Sequence, residues 1–322
     1  KFYEVLEEYL LKTIPLSYDE DYDTLYQKSK NLKVSPGRIL VDNFMPSSEE
    51  KRLKYARALD GGEKFISVQH GSGYGTTLFD CWSAEFEYPF HAFFTWGWKT
   101  HGNLRGNFFP LPSPFLGRVK NKHKERNNTI VMAGTKIDLR DSRLIGPRPI
   151  QWLKYRESKK DFINSLDLDV SENLVYFPYR RGQSDLIEEA YLKNFFPTLK
   201  TGSGGLDSYM LSARLLILDC PGTTLNIAMA ANVPLVCFWD KDSFPFVSQA
   251  QHYFDELEAV NILHHNVEEA AFHANYVWNN TRKWWNSREV QKARLRWVQQ
   301  FAYTENLWWW SWLKQLARIQ VE

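Results

Sequence analysis

The chain has 322 residues, a formal net charge of +2 and 43% hydrophobic residues. This length allows two domains of ordinary size, and so small a charge argues against a nucleic-acid partner held by bulk electrostatics. No run of about 18 apolar residues predicts a membrane-spanning helix. The three cysteines are an odd number without metal-site spacing, which favours reduced thiols in a cytosolic protein.

The first third of the chain alternates predicted helices and strands. Residues 1–30 are predicted to be largely helical, with the pattern of an amphipathic helix rather than a signal peptide. Because no methionine begins the chain, we expect it to be part of a longer protein. Strands are predicted at 37–42, 64–69 and within 90–98, and a helix begins near the cap residues 47–50.

A glycine-rich loop follows the strand at 64–69 and contains His70, Gly71, Gly73, Tyr74 and Gly75. Glycines let a backbone come close to a ligand, and an imidazole can accept a proton near neutral pH. The G-x-G-x-G spacing is not the dinucleotide fingerprint. The loop is therefore a candidate acceptor-side site, and a tight turn with a structural histidine is the alternative.

A basic stretch at 118–128 is predicted to be a solvated connection to a second series of strands and helices. Two alternating blocks predict an α/β protein with two Rossmann-like domains that face each other across a cleft. The predicted units are an acceptor-side domain at 1–125, a nucleotide-sugar-binding domain at 126–282, and a closing helix with an aromatic tail at 283–322. Strands are predicted at 129–133, 174–177, 215–218 and 233–238, and helices at 149–166, 246–259, 267–279 and 284–300.

The stretch 212–239 reads as strand, polar loop, helix and strand. Asp219 ends the first strand, and Gly222, Thr223 and Thr224 stand at the turn and first helical positions. Ligands of open α/β sheets lie beyond the carboxyl ends of strands, where helix N-termini offer N–H groups to anions. These residues therefore predict a phosphate site, and an ordinary crossover with a polar cap is the alternative.

Four other residues are further candidates. Arg180 and Arg181 follow the strand at 174–177, and their planar guanidinium groups suit an anionic donor, although surface arginines are common. Asp240 follows the strand at 233–238, where an ordinary loop is the alternative to a sugar contact. His252 either faces the cleft or packs beside it. His264 and His265 lack zinc spacing and are predicted to lie at the surface, and no metal site is predicted.

Tryptophans cluster near the C-terminus among basic residues. We predict that Trp284 and Trp285 pack against the domains. For residues 308–322 two interpretations stay open: packing across both domains, or contact with a membrane interface.

Seven segments carry a family resemblance. They are VQHGSGYG at 68–75, FTWGW at 94–98, PIQW at 149–152, ARLLILD at 213–219, GTTL at 222–225, ANVPLVCFWD at 231–240 and KWW at 283–285. With these, residues 30–303 resemble a bacterial transferase family of surface-polysaccharide synthesis, of the two-domain GT-B type, and more widely Kdo transferases and CDP-glycerol polymerases. The resemblance implies a catalytic His70 and a donor-phosphate loop at Asp219, Thr223 and Thr224.

Asp219 is also a second candidate for the catalytic group. Glu85, Glu87 and Asp138 are other conceivable catalytic carboxylates, and nothing in the sequence singles one of them out. The chain departs from the relatives in two ways. Residues 179–181 stand where a His-Pro pair is usual, and no glutamate follows the phosphate loop on its helix. The second departure leaves the nucleotide open.

On this basis we hypothesise a metal-independent, cytoplasmic glycosyltransferase that needs no cofactor and works at the inner face of the inner membrane. It would transfer an acidic, Kdo-like sugar from a CMP-activated donor to a surface glycan or lipid-linked glycan. The alternatives are a polyol-phosphate transferase with a CDP donor, and a catalytically silent glycan-binding or scaffold domain.

Overall fold

The structure, a computed structural model, describes residues 2–30, 37–43, 49–122, 125–135, 147, 149–179 and 187–321. It contains two parallel β-sheets, one from each half of the chain. The predicted α/β class with two Rossmann-like units is confirmed. The predicted helix start near 47–48 falls outside the described residues.

The first sheet has four parallel strands in the order β1-β2-β3-β4. Its strands are β1 (Ile39–Asp42), β2 (Lys64–Val68), β3 (Ala92–Thr95) and β4 (Phe108–Pro110). The helices of this half are α1 (Phe2–Thr13), α2 (Tyr22–Lys30), α3 (Glu49–Asp60), α4 (Cys81–Phe86) and α5 (Pro114–Lys120).

The second sheet has six parallel strands in the order β10-β9-β8-β5-β6-β7. They are β5 (Ile130–Ala133), β6 (Leu174–Phe177), β7 (Lys200–Thr201), β8 (Leu215–Leu218), β9 (Leu235–Phe238) and β10 (Leu263–His264). Counted within this sheet the order is that of a Rossmann fold, and the direction of winding reverses between β5 and β8. Ligands of such sheets bind at this switch point.

Ten helices are described in the second half. They are α6 (Trp152–Asn164), α7 (Leu168–Ser171), α8 (Glu188–Phe195), α9 (Leu206–Ser212), α10 (Thr223–Ala230), α11 (Ser248–Ala259), α12 (Val267–Trp278), α13 (Thr281–Trp285), α14 (Arg288–Phe301) and α15 (Trp308–Val321). All four residues of β8 are buried and alternate between two hydrophobic clusters, one on each face of the sheet. Burial on both faces explains why this strand is continuously aliphatic.

The two halves touch through backbone as well as side chains. Thr77 and Phe246 form an antiparallel bridge, and the Val247 N–H donates to the Thr76 carbonyl at 2.9 Å. Gly97 has φ +120°, and a Cβ there would lie 2.4 Å from the Gln299 carbonyl oxygen. A glycine is therefore required where the first half meets α14.

The C-terminal tail is helical and returns to the first sheet. Trp312, Leu316 and Ile319 of α15 pack against a cluster that includes Ile66 and Phe94. The single helix predicted at 284–300 is instead divided into α13 and α14, because the chain turns at 286–287 between them. Trp285 is buried, which confirms that it packs.

One surface prediction is confirmed in part and another is wrong. The described residues of 118–128 are exposed except Val119, but the stretch is not simply a linker, since α5 extends to Lys120 and Arg126 donates to the carbonyls of Leu211 and Asn232. His264 is buried, with its ring nitrogen 3.1 Å from the Asn261 carbonyl, because β10 is part of the second sheet. The cysteines Cys81, Cys220 and Cys237 are free.

Candidate functional site

The loop after β2 is fixed by the buried side chain of Gln69. Its Oε1 accepts from the Trp96 N–H and from the Trp98 indole, both at 2.8 Å. Its Nε2 donates to the Gly71 carbonyl at 2.8 Å. One amide therefore ties the ends of β2 and β3 to the loop, which limits the positions that His70 can take.

The glycines of the loop shape its turn. Gly73 and Gly75 have φ of +95° and +73°, a region that favours glycine. A Cβ at Gly75 would also lie 2.6 Å from the Trp98 ring. The predicted loop residues Gly71, Gly73 and Gly75 thus allow the backbone to adopt this tight turn.

His70 belongs to a hydrogen-bonded cluster with Tyr74 and Glu87. The His70 Nε2 lies 2.5 Å from the Tyr74 hydroxyl, which donates to Glu87 Oε2 at 2.8 Å. Glu87 Oε1 is 3.5 Å from the same His70 nitrogen. The His70 side chain is 28% exposed whereas that of Glu87 is fully buried, so the imidazole is the accessible part of the cluster.

The direction of these hydrogen bonds fixes the imidazole tautomer. Burial, followed by the Glu87 carboxylate, raises the pKa of Tyr74 far above that of a free phenol, so its hydroxyl keeps its proton. That proton is donated to Glu87, and the Tyr74 oxygen must accept from His70 Nε2–H. In neutral His70 the lone pair then resides on Nδ1, which can accept a proton from a ligand.

The second half contributes the N-terminus of α10. Gly222 is its N-cap residue, and Thr223 and Thr224 are half-buried in its first turn. The first N–H groups of a helix have no intrahelical acceptor and carry partial positive charge. Gly222, Thr223 and Thr224 therefore form a polar helix end beside the switch point, suited to an anion.

A hydrogen bond joins the two loops. The Ser72 N–H donates to Thr223 Oγ1 at 3.1 Å, and a Cβ on Gly71 would lie 3.2 Å from the same oxygen. The Thr223 hydroxyl accepts this bond and keeps its own proton for a ligand oxygen. The structure thus brings together the predicted His70 loop and the predicted phosphate loop.

Asp219 is buried beside a lysine, so the structure gives no support to its assignment as a catalytic group. Its Oδ2 lies 3.3 Å from Lys159 Nζ, which also contacts Glu188 at 3.0 Å. Burial is the largest single influence and disfavours the Lys159 ammonium, but Asp219, Tyr176 and Glu188 together outweigh it, and the pKa of Lys159 is raised. Because Asp219 is enclosed with Lys159, we infer that it positions the β8–α10 loop.

Of the remaining candidates, the structure describes Asp240 and His252. Arg180 and Arg181, like Asp138, lie outside the described residues. Asp240 pairs with Lys154 at 2.5 Å and accepts from the Asp242 N–H, as a loop and cap residue does. His252 is exposed, with its ring against Tyr253.

Gln69, Glu87 and Lys159 were not recognised as parts of the site. Glu87 was one of several carboxylates that the sequence could not rank, and Glu85 beside it is exposed. The only local sign that Gln69 belongs to the site is its position directly before the His-Gly pair. A lysine inside a helix pattern gives no sign of burial.

A cavity of about 1150 Å³ in the second half of the chain does not coincide with these loops. It lies at the amino ends of β5, β8 and β9, with Arg126, Arg214 and Asn232 in its lining. We assign the site to the two loops and not to this cavity, because ligands of parallel sheets bind at the carboxyl ends of the strands.

Within the described residues, no cluster of three metal-ligating side chains occurs. The helices of that part of the chain are also too short or too polar to cross a membrane.

A family model covers nearly the whole chain. The model describes LIC12162 family transferases and matches residues 1–316. The chain belongs to this transferase family. No curated protein matches this LIC12162 family member.

Three solved structures are similar to this family member at low identity. An O-GlcNAc transferase mutant from Thermobaculum terrenum shares 12% identity at a TM-score of 0.45, with 93% of this chain and 55% of that chain covered. WaaG, a glycosyltransferase of lipopolysaccharide biosynthesis, shares 14% identity at a TM-score of 0.32, with 86% of this chain and 74% of that chain covered. The wall teichoic acid polymerase TagF shares 12% identity at a TM-score of 0.35, with 90% of this chain and 64% of that chain covered. The chain thus spans about half of the first of these proteins.

Proposed function

We propose that this transferase moves a glycosyl group from a nucleotide-activated donor to a hydroxyl of a glycan acceptor. The observation that carries the proposal is the Ser72–Thr223 hydrogen bond, at which a proton-accepting histidine loop meets an anion-binding helix end. A nucleotide sugar needs both groups, because its leaving phosphate and its attacked anomeric carbon are neighbours.

The reaction uses the two loops in different roles. The acceptor hydroxyl attacks the anomeric carbon, and the bond from that carbon to the donor phosphate oxygen breaks. The acceptor proton passes to His70 Nδ1 as the new bond forms. The N–H groups of α10 and the hydroxyls of Thr223 and Thr224 stabilise the charge that develops on the departing phosphate.

Tyr74 and Glu87 assist His70 without contacting substrate. Once Nδ1 is protonated, the imidazolium is stabilised by the buried Glu87 carboxylate, directly and through the Tyr74 hydroxyl. A carboxylate that orients a histidine and stabilises its charged form has this role in hydrolytic triads.

The finer assignment is a CMP-activated, Kdo-like acidic sugar as donor and a bacterial surface glycan, lipid-linked or free, as acceptor. It is supported by the family resemblance of the His70 and Thr223–Thr224 loops. Arg180 and Arg181 would neutralise the acidic donor, and the reaction would take place in the cytoplasm without a metal or cofactor. Transfer of a polyol phosphate from a CDP donor is the second candidate, on the same loops.

Donor screening tests this proposal. The purified chain is incubated with CMP-Kdo, CDP-glycerol, UDP-N-acetylglucosamine or GDP-mannose and an oligosaccharide acceptor, and products are identified by mass. Addition of Kdo supports the finer assignment, and addition of another sugar supports glycosyl transfer with a different donor. Addition of glycerol phosphate supports the second candidate. Glycan binding without turnover of any donor would contradict catalysis and favour the scaffold alternative.

A further inference from the structure

We propose that the outward face of α15 docks this protein on an anionic membrane surface. This inference goes beyond the transfer reaction and does not depend on it. It rests on how α15 is anchored, on which of its residues face solvent, and on the charges around them.

The inner face of α15 is fixed to the first sheet. Trp312 donates its indole N–H to the Pro112 carbonyl at 2.9 Å and packs edge-on against Phe94. Near the helix C-terminus, Lys64 donates to the Ile319 carbonyl and Gln320 donates to the Gly37 carbonyl. The helix is therefore held at both ends, and its outer face is a defined surface.

The outer face carries large apolar side chains. Trp309, Trp310 and Leu313 are 48%, 49% and 53% exposed, and Leu307 just before the helix is 59% exposed. At about 100° per residue, Trp309, Leu313 and Trp310 span a stripe of about 100° along the helix, and Trp310 lies almost opposite Trp312. The two indoles lie side by side, with ring centroids 6.0 Å apart, and each leaves about half of its surface exposed.

Cations border this stripe. Lys314 and Arg318 lie at one edge of it, Lys314 stands over the Trp310 ring, and α15 contains no acidic residue. Arg118 and Lys120 of α5 line a small cavity together with Trp308 at the start of α15. Glu305 also lines that cavity, and its carboxylate accepts from the hydroxyls of Tyr303 and Ser311.

Tryptophan flanked by lysine and arginine is suited to the boundary between acyl chains and anionic headgroups. Indoles prefer that depth, and long basic side chains reach outward to phosphates. The same charges oppose a second copy as the occupant, because a two-fold contact through this face would bring the Lys314 and Arg318 edges of both copies into one interface. Charge complementarity therefore favours an anionic lipid surface.

Vesicle sedimentation tests the proposal. The chain is mixed with phosphatidylcholine vesicles that either contain or lack phosphatidylglycerol, and the bound fraction is measured against lipid concentration. We expect binding to the anionic vesicles that weakens with added salt. Trp309→Ser with Trp310→Ser should lower the partition coefficient at least tenfold, and Lys314→Glu with Arg318→Glu should abolish the preference for phosphatidylglycerol.

A matched control comes from α12, where Phe272 and Tyr276 are both 74% exposed. Phe272→Ser with Tyr276→Ser should leave vesicle binding unchanged, and circular dichroism should show all variants folded. The proposal is overturned if the chain does not bind anionic vesicles or if the two aromatic variants lose binding equally. It is also overturned if light scattering shows a dimer that the Trp309 and Trp310 changes dissociate while vesicle binding stays absent.

Discussion

The backbone N–H of Ser72 and the side-chain oxygen of Thr223 form a hydrogen bond of 3.1 Å between the two halves of the molecule. Ser72 belongs to the loop that carries His70, and Thr223 is the first residue of α10. This contact places the loop of His70, the proposed proton acceptor, beside the N-terminus of α10, the proposed phosphate site, which neither half could do alone.

Gly71→Ala tests the spacing of the two loops. The added Cβ would lie 3.2 Å from Thr223 Oγ1, so the loops must separate slightly. We expect the transfer rate to fall by a few-fold to about 100-fold, because misplaced reacting groups lose effective concentration. Gly117→Ala is the control, since its Cβ meets nothing within 4 Å. Equal rates in both variants would contradict the importance of this spacing.

His70→Asn removes the proposed base while keeping a polar side chain. We expect kcat to fall by about 10²–10⁴-fold with donor affinity unchanged, the range typical of general-base loss. Steady-state rates and calorimetric donor binding separate the two effects. His252→Asn, at an exposed position, should change neither. Full activity in His70→Asn would place the base elsewhere.

Tyr74→Phe tests the hydrogen-bond direction assigned to His70. Nitrogen NMR of the wild-type imidazole should show the Nε2–H tautomer, and the variant should lose this preference because its acceptor is gone. Tyr303→Phe removes another tyrosine hydroxyl, one that donates to Glu305 at 2.9 Å, and should leave the His70 signals unchanged. An Nδ1–H tautomer in the wild type would refute the assignment.

Lys159→Met should destabilise the protein strongly. It leaves Asp219 and Glu188 without their buried ammonium, a loss of about 3–5 kcal/mol in the free energy of unfolding. Urea unfolding measures it. On the same helix Lys154, whose side chain is 78% exposed, pairs with Asp240, and Lys154→Met should cost less than about 1 kcal/mol. If the two variants were equally stable, the buried network would not hold the loop.

His273 should make stability depend on pH. Burial, followed by His264, lowers the pKa of His273 to about 4, and its Nε2 is buried with no hydrogen-bond partner among the described residues. The unfolded chain binds this proton below about pH 6.5, so stability is present above that pH and declines as the pH falls toward 4. The loss is at most on the order of 3 kcal/mol, less with solvent screening.

Urea midpoints between pH 4 and 7 measure this decline. His273→Phe should flatten the profile, since the apolar ring has no proton to gain and leaves no unpartnered nitrogen. His252→Asn should keep the wild-type slope. A slope that His273→Phe leaves unchanged would assign the effect to other groups, such as His264.

The central strands were predictable because burial on both faces makes them continuously apolar, as at Leu215–Leu218. The two-residue strands β7 and β10 have no periodicity to detect. The α15 helix was read as a tail because consecutive tryptophans hide its period: Trp309 and Trp310 face outward while Trp312 packs inward.

In the site, His70 and Thr223 were identified through their positions after buried strands and through family resemblance. Their contact is tertiary and could not be derived from either loop. Glu87 lies beyond α4, and only the packing of Tyr74 brings its carboxylate to His70. The burial of Asp219 could not be predicted, because a polar residue at a strand end appears the same in sequence whether it faces a cleft or a buried lysine.

Calorimetric titration with CMP, CDP, UDP and GDP at fixed salt tests the central claim most directly. The account predicts that the chain binds a nucleotide, CMP in the finer assignment. It also predicts that Thr223→Val with Thr224→Val weakens binding at least tenfold, about 1.4 kcal/mol, whereas Thr304→Val does not. Unchanged affinity in the double variant, or no binding of any nucleotide to the wild type, would contradict a donor-phosphate site at the start of α10.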